Sequence, residues 1–143
     1  MSEVKVLSSK LMPLIKELID EGKSVQFKIS GNSMLPFFKH HKTQVIVIRK
    51  ESYSKGDAVL YQCKDKYILH RIIKVTQDFY LICGDALKTI EEIPKTDVLG
   101  YVSAYEGKHK TIQHTSKLYK FKVSLWILLK PFRRVLLKIY VRK

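Results

Sequence analysis

Three short segments carry residue types able to do acyl-transfer chemistry. The first, Ser30-Gly31-Asn32-Ser33-Met34-Leu35-Pro36, follows an alternating apolar stretch and has no helical periodicity. Gly31 and Pro36 can pin a sharp loop that presents Ser33 at a strand end, where its backbone N–H can face a substrate carbonyl. A serine hydroxyl becomes a nucleophile only with a base in hydrogen-bond reach. The second segment supplies one: His70, within Tyr67-Ile68-Leu69-His70-Arg71-Ile72-Ile73, downstream of Lys55-Gly56-Asp57-Ala58-Val59-Leu60-Tyr61. The third is Cys83-Gly84-Asp85-Ala86, a turn after a strand. Taken singly, each has an ordinary structural reading. A Ser/Asn/Gly/Pro cluster is a turn, a histidine in an apolar strand is a hydrogen-bonded core residue, and Asp85 is a turn residue.

The elements that must position these groups are mostly strands. Alternation places Val25, Phe27 and Ile29 on one face of Ser24–Ile29, and Gln44–Ile48 is apolar and β-branched. Ala58–Gln62 and Tyr67–Val75 flank the polar turn Lys64-Asp65-Lys66 and read as a hairpin. Phe79–Cys83 and Val98–Tyr105 are further strands, and the regular spacing argues a mainly β domain. Before them, Val4, Leu7, Leu11, Leu14, Ile15 and Leu18 recur at helical spacing, predicting a helix over Val4–Ile19 capped by Gly22. Pro13 either kinks this helix or opens a second short one.

The 143 residues hold 27 Lys+Arg against 13 Asp+Glu, a net charge of +14. From Gly107 to Lys143 there are 11 Lys+Arg and no Asp or Glu, so the first 106 residues are close to neutral. The division expected is a catalytic domain over 1–106 and a basic tail over 107–143. Across Lys117–Arg142, Leu118, Phe121, Leu125, Leu128, Leu129, Phe132, Leu136 and Ile139 share one face. Lys120, Lys130, Arg134, Lys138 and Arg142 lie opposite, so the tail reads as a basic amphipathic helix bent or divided at Pro131. Two uses are open to it: its apolar face packs on the domain, or it holds the protein on an anionic membrane surface. Its aromatics lie mainly on the apolar face and are not interleaved with charge, which argues against nucleic acid. Cys63 and Cys83 have no metal-ligand spacing; one disulfide between them is open, but two free buried thiols are the expectation. No run of roughly 20 apolar residues provides a membrane span. With no signal or anchor visible, the expected location is the cytoplasm, with the inner membrane face as a peripheral site.

The three segments, in this order, resemble the signal peptidase I family and its wider superfamily, which includes the self-cleaving domain of LexA-type repressors. Gly31, Ser33, Met34 and Pro36 match G-x-S-M-x-P, which places the nucleophile at Ser33. Gly56-Asp57 followed by Val59 looks like the G-D-x-V strand entry. Gly84-Asp85 matches the later G-D motif, and Asp97-Val98-Leu99-Gly100-Tyr101-Val102 looks like the closing D-V-x-G-x-V strand. The resemblance spans Val25 to Val102. It implies a coiled β-sheet domain and a serine endopeptidase acting without cofactor or metal on a peptide or precursor protein. Gly31, Met34 and Pro36 would shape the substrate site beside Ser33.

One departure bears on mechanism. Most bacterial members pair the serine with a lysine, whereas the matching residue here is His70, as in the Ser-His branch. A lysine base must shed a proton from an unperturbed pKa near ~10.4, while a histidine near ~6.5 is largely neutral at about pH 7. By resemblance Asp85 would orient His70 as the third member of a triad. Arg71 reads as structural or electrostatic, Asp57 as a turn residue, and His40 and His41 as solvated. Lys74 shares a strand face with His70 but lies off the motif. The alternative reading is a non-catalytic module of the same fold that binds a peptide, lipid or nucleic acid. A repressor would need a DNA-binding domain, for which the roughly thirty residues before Ser33 are too few. Oligomeric state is not set by the sequence.

Overall fold

The computed structural model describes residues 3–64, 66–107 and 109–142, with side chains described for residues 11–64, 66–107 and 109–140. A single helix α1 (Glu3–Asp20) runs through Pro13 without dividing. Its end is closed as expected: Gly22 sits at φ 85°, and Gly22 and Lys23 N–H return to the carbonyls of Ile19 and Leu18. The buried face differs from the one expected. Met12 and Ile19 enter the core, while Leu11 and Leu14 face solvent. Val4 and Leu7 lie outside the described side chains.

Eight strands follow: β1 (Val25–Lys28), β2 (Gln44–Ile48), β3 (Ala58–Cys63), β4 (Lys66–Val75), β5 (Phe79–Cys83), β6 (Glu91–Pro94), β7 (Val98–Glu106) and β8 (Thr111–Gln113). They form one sheet in the order β1-β2-β7-β3-β4-β5-β6, with β8 pairing β7. Every pairing is antiparallel. The fold is therefore mainly β, with helices at both ends of the chain. The hairpin β3–β4 forms, with Lys64 at φ 58° in its turn, and Asp65 lies outside the described residues. β6 and β8 are additions to the expected set. Both are short and polar, and their pairing to β5 and β7 supplies what their own composition does not.

Strand alternation sorts the core into two clusters. Ala58 and Leu60 join Met34, Phe38, Val45, Val47, Tyr105, Tyr119 and Val123 in one. Val59 and Tyr61 join Tyr53, Ile72, Tyr80, Ile82 and Tyr101 in the other. Because the first cluster includes Tyr119 and Val123, the chain beyond Gly107 is packed into the domain that precedes it.

That C-terminal segment starts at Ser116, whose side chain accepts from Tyr119 N–H, and forms α2 (Lys117–Leu128). A short 3-10 turn over Lys130–Phe132 carries Pro131, which lacks the N–H a continuing helix would need, and α3 (Arg133–Arg142) follows. The surface that packs inward is Tyr119, Val123 and Arg133. Most of the apolar face read from the periodicity lies outward instead: Leu118, Phe121, Leu125, Leu128, Phe132 and Ile139 are exposed.

Candidate active site

The nucleophile loop is built from a glycine, a proline and two phenylalanines. Gly31 takes φ 90°, a conformation that glycine reaches without strain, and its N–H donates to His40 Nδ1 at 2.6 Å. His40 therefore braces the loop instead of standing free in solvent, and it stacks on His41 at 3.7 Å between ring centroids. The peptide between Leu35 and Pro36 is cis. Met34 and Phe38 are fully buried beneath the loop, and Ser33 is left half-buried above them.

Ser33 is held against the turn that follows β5. Ala86 N–H donates to its carbonyl at 2.8 Å. Gly84 makes the approach possible, since a Cβ there would stand 2.8 Å from the same carbonyl oxygen. The last pair of the β4–β5 ladder is Arg71 with Cys83, so Gly84 is level with His70 one step beyond it. The Ser33 backbone and Gly84 thus meet where β5 ends, at the level of His70 on β4.

His70 is buried, and its Nδ1 lies 3.3 Å from Tyr61 Oη. Tyr61 is its diagonal neighbour on β3, because Val59 pairs with His70 and Tyr61 with Ile68. No carboxylate faces the imidazole among its described contacts, and burial alone lowers its pKa to about 4. Burial also raises the Tyr61 phenol above its ordinary value, so it stays protonated. Either group can donate in this pair. The arrangement in which Nδ1–H donates to Tyr61 Oη leaves Nε2 as a free base. Among the described residues no hydrogen bond joins Ser33 Oγ to His70. Catalytic hydrogen bonds of this kind commonly tighten only when substrate is in place.

Asp85 goes elsewhere. Arg71 follows His70 on β4 and so points to the opposite face. It takes both Asp85 oxygens, with Nε at 3.0 Å from Oδ1 and Nη2 at 2.6 Å from Oδ2. Nη1 donates to Gly56 O at 2.9 Å and to Tyr119 Oη at 2.7 Å. Phe37, Phe38 and Tyr119 stand over the guanidinium within 6 Å. Burial by itself would lower the Arg71 pKa, but Asp85 and Tyr119 more than offset this and the guanidinium is held charged. The expected Asp85–His70 contact is therefore absent among the described residues, because the strand puts His70 on the other face from the one Asp85 reaches. Asp85 N–H meets Met34 Sδ at 3.4 Å, which ties the ion pair to the floor of the nucleophile loop.

The C-terminal helices grip the same turn from outside. Trp126 Nε1 donates to Asp85 O at 2.6 Å, and Lys130 Nζ to Lys88 O at 2.7 Å. The buried Arg133 donates through Nη1 to Gly84 O at 3.1 Å and Leu87 O at 2.7 Å. Its neighbour Cys83 is a free buried thiol, whereas Cys63 is free but exposed, contrary to the expectation for it. Asp57 is the turn residue expected, accepting from Ser54 N–H and pairing with Lys50 at 2.8 Å.

Tyr61, Tyr119, Trp126 and Arg133 escape motif reading, because ordinary strand and helix residues carry no local signature. Tyr61 alone had a usable signal: a hairpin turning near Lys64 puts it diagonal to His70 on one face.

No curated protein sequence matches the chain. The family model described as Peptidase S24-like matches residues 2–102, a span that takes in the nucleophile loop, the β3–β4 hairpin and the Gly84 turn but stops short of the helices that clamp it. The chain belongs to the Peptidase S24-like family.

Proposed function

We propose that the protein is a serine endopeptidase that cuts an extended peptide or precursor protein by acyl transfer. The observation that carries this is the corner where Ser33 is pressed against Gly84 level with a histidine that burial keeps neutral. In the proposed reaction Ser33 Oγ attacks the scissile carbonyl carbon and its proton passes to His70 Nε2. The Ser33 N–H helps hold the oxyanion. Collapse of the tetrahedral species breaks the C–N bond, and the amine leaves with the proton from His70. Water, deprotonated by the same imidazole, then releases the acyl group. Tyr61 Oη accepts from Nδ1–H and sets the tautomer, a part that Asp85 is too occupied to play.

Substrate entry is supported by the sheet. β5 covers β4 only from Arg71 onward, so Lys66–His70 has a strand partner on one side alone among the described residues. An extended peptide added there would gain main-chain hydrogen bonds and bring its carbonyl to Ser33. Gly31, Met34 and Pro36 would form the loop that meets its side chains.

The test is cleavage of candidate precursors by wild type, Ser33→Ala and His70→Ala, followed by mass spectrometry. Loss of a defined cut in both variants is expected. A cut that persists in both sinks the assignment, and a rate that rises only above about pH 9 would point to a lysine base instead.

A further inference from the structure

The outward face of the C-terminal helices has more regularity than a solvent face needs. Leu118, Phe121, Leu125, Leu128, Phe132, Val135 and Ile139 are all exposed, Leu128 by 75% and Phe121 by 63%. They follow one another at alternating steps of three and four residues, which puts Leu118, Phe121, Leu125 and Leu128 on one face of α2, and Val135 and Ile139 on one face of α3. This is not the surface that docks on the domain, since Tyr119, Val123 and Arg133 do that from the other side. Tyr119 Oη and Trp126 Nε1 fix the roll of α2 through Arg71 and Asp85 O, so the apolar line cannot turn inward while those bonds hold. An apolar line of this length, left uncovered, marks an interaction surface.

Charge selects what covers it. Lys117, Lys120, Lys122, Arg134 and Lys138 are exposed along the same helices, and residues 107–143 contain no Asp or Glu. A second copy would bring an equally cationic surface against this one, with no acid to pair across the seam. The 3-10 turn at Pro131 also breaks the continuous helix that a coiled-coil seam uses. A nucleic acid would satisfy the cations but leave Leu118, Leu125, Leu128 and Val135 in water. An anionic lipid surface meets both demands, with the apolar line in the acyl boundary and the cations among the headgroups. Among the described residues no helix is long and apolar enough to cross a membrane, so the contact is one of lying on the surface.

We infer that α2 and α3 form a docking face for an anionic lipid membrane, and that they set the Gly84–Leu87 turn, and with it Ser33, beside that surface. The docking is independent of the peptidase reading and is measured without it. The full-length protein is sedimented with vesicles of phosphatidylcholine alone and of phosphatidylcholine with 30% phosphatidylglycerol. Binding to the anionic vesicles is expected to exceed that to neutral ones and to weaken as salt rises. The triple variant Phe121→Glu, Leu128→Glu, Phe132→Glu alters only exposed side chains. Its partition should fall at least about tenfold. Unchanged helical circular dichroism and melting temperature would show that it folds, and if it does not, Lys120→Gln with Arg134→Gln provides the second arm. That pair should lower binding to anionic vesicles and spare the weak binding to neutral ones. Equal binding to both vesicle types, or undiminished binding by the triple variant, overturns the proposal. So does a wild-type dimer in sedimentation equilibrium that the triple variant abolishes, because the face would then belong to a second copy.

Discussion

His70 and Arg71 are neighbours on one strand, both buried, and the protein treats them in opposite ways. His70 lies with Tyr61, without a carboxylate against it among the described residues, and burial keeps its imidazole neutral. Arg71 lies with Asp85 and Tyr119 on the other face, and these partners offset the loss of water around its charge. Burial thus leaves one of them neutral, while the other is tied into a strut. They differ in intrinsic basicity, and in whether a fixed opposite charge was buried alongside. The strut also does something a triad aspartate could not: it joins Gly56, Tyr119 and the Gly84 turn, and so holds in place the loop on which Ser33 rides.

This contrast can be broken most severely at the reacting atoms. Ser33→Ala or His70→Ala should lower kcat/KM by at least about a thousandfold, and Ser33→Ala should leave urea stability within about 1 kcal/mol. On the opposite face the effect should fall on stability first. Arg71→Ala or Asp85→Ala leaves a buried charge alone and should destabilise by roughly 3–5 kcal/mol in urea melts. Replacing both at once, Arg71→Met with Asp85→Leu, should recover much of that loss. If the single and double variants lose stability equally, the pair is not acting as a strut.

A pH titration sharpens the same comparison. The folded His70 pKa, near about 4, is below the unfolded value of ~6.5, so the unfolded chain binds more protons between them. Stability contributed by neutral His70 is full above about pH 6.5 and is lost as pH falls towards 4, to an extent of roughly 3 kcal/mol. The acid limb of activity should accordingly lie well below pH 6.5, and in His70→Leu the slope of stability over that window should flatten. A limb centred at 6.5 would mean that the imidazole is hydrated and not buried as described.

Smaller effects belong to the supporting hydrogen bonds. Tyr61→Phe removes one acceptor from Nδ1 and should lower kcat about tenfold with KM little changed. Trp126→Phe removes one bond to Asp85 O and should cost about 1 kcal/mol in urea melts. A Tyr61→Phe enzyme as fast as wild type would return the orienting role to some other group.

Much of this was legible in the residue string. The loop around Ser33, the strand with His70 and the Gly84 turn stand out because glycine, proline and apolar alternation leave local traces. The strand limits did too, with Gln44–Ile48 and Phe79–Cys83 found as read. What was hidden depends on direction. Periodicity identified an apolar line on the tail but not that it would face away from the domain, because Tyr119 and Val123 form a second apolar stripe and a sequence does not rank the two. The same ambiguity put Leu11 and Leu14 inside in place of Met12 and Ile19. Asp85 was assigned to His70 by motif order, which is blind to the face of β4 from which a side chain projects. β6 and β8 owe their existence to the strands beside them.

The distance along the chain between the Gly84 turn and its clamp has a consequence for how the protein is made. Asp85 O waits 41 residues for Trp126, and Gly84 O waits 49 for Arg133. Chains fold from the N-terminal side as they are synthesised. Every strand of the sheet, and the Gly84 turn itself, is therefore synthesised before the helices that brace the turn from outside. The last bracing of the corner, and the face we assign to lipid, are delivered together by one later stretch of helix.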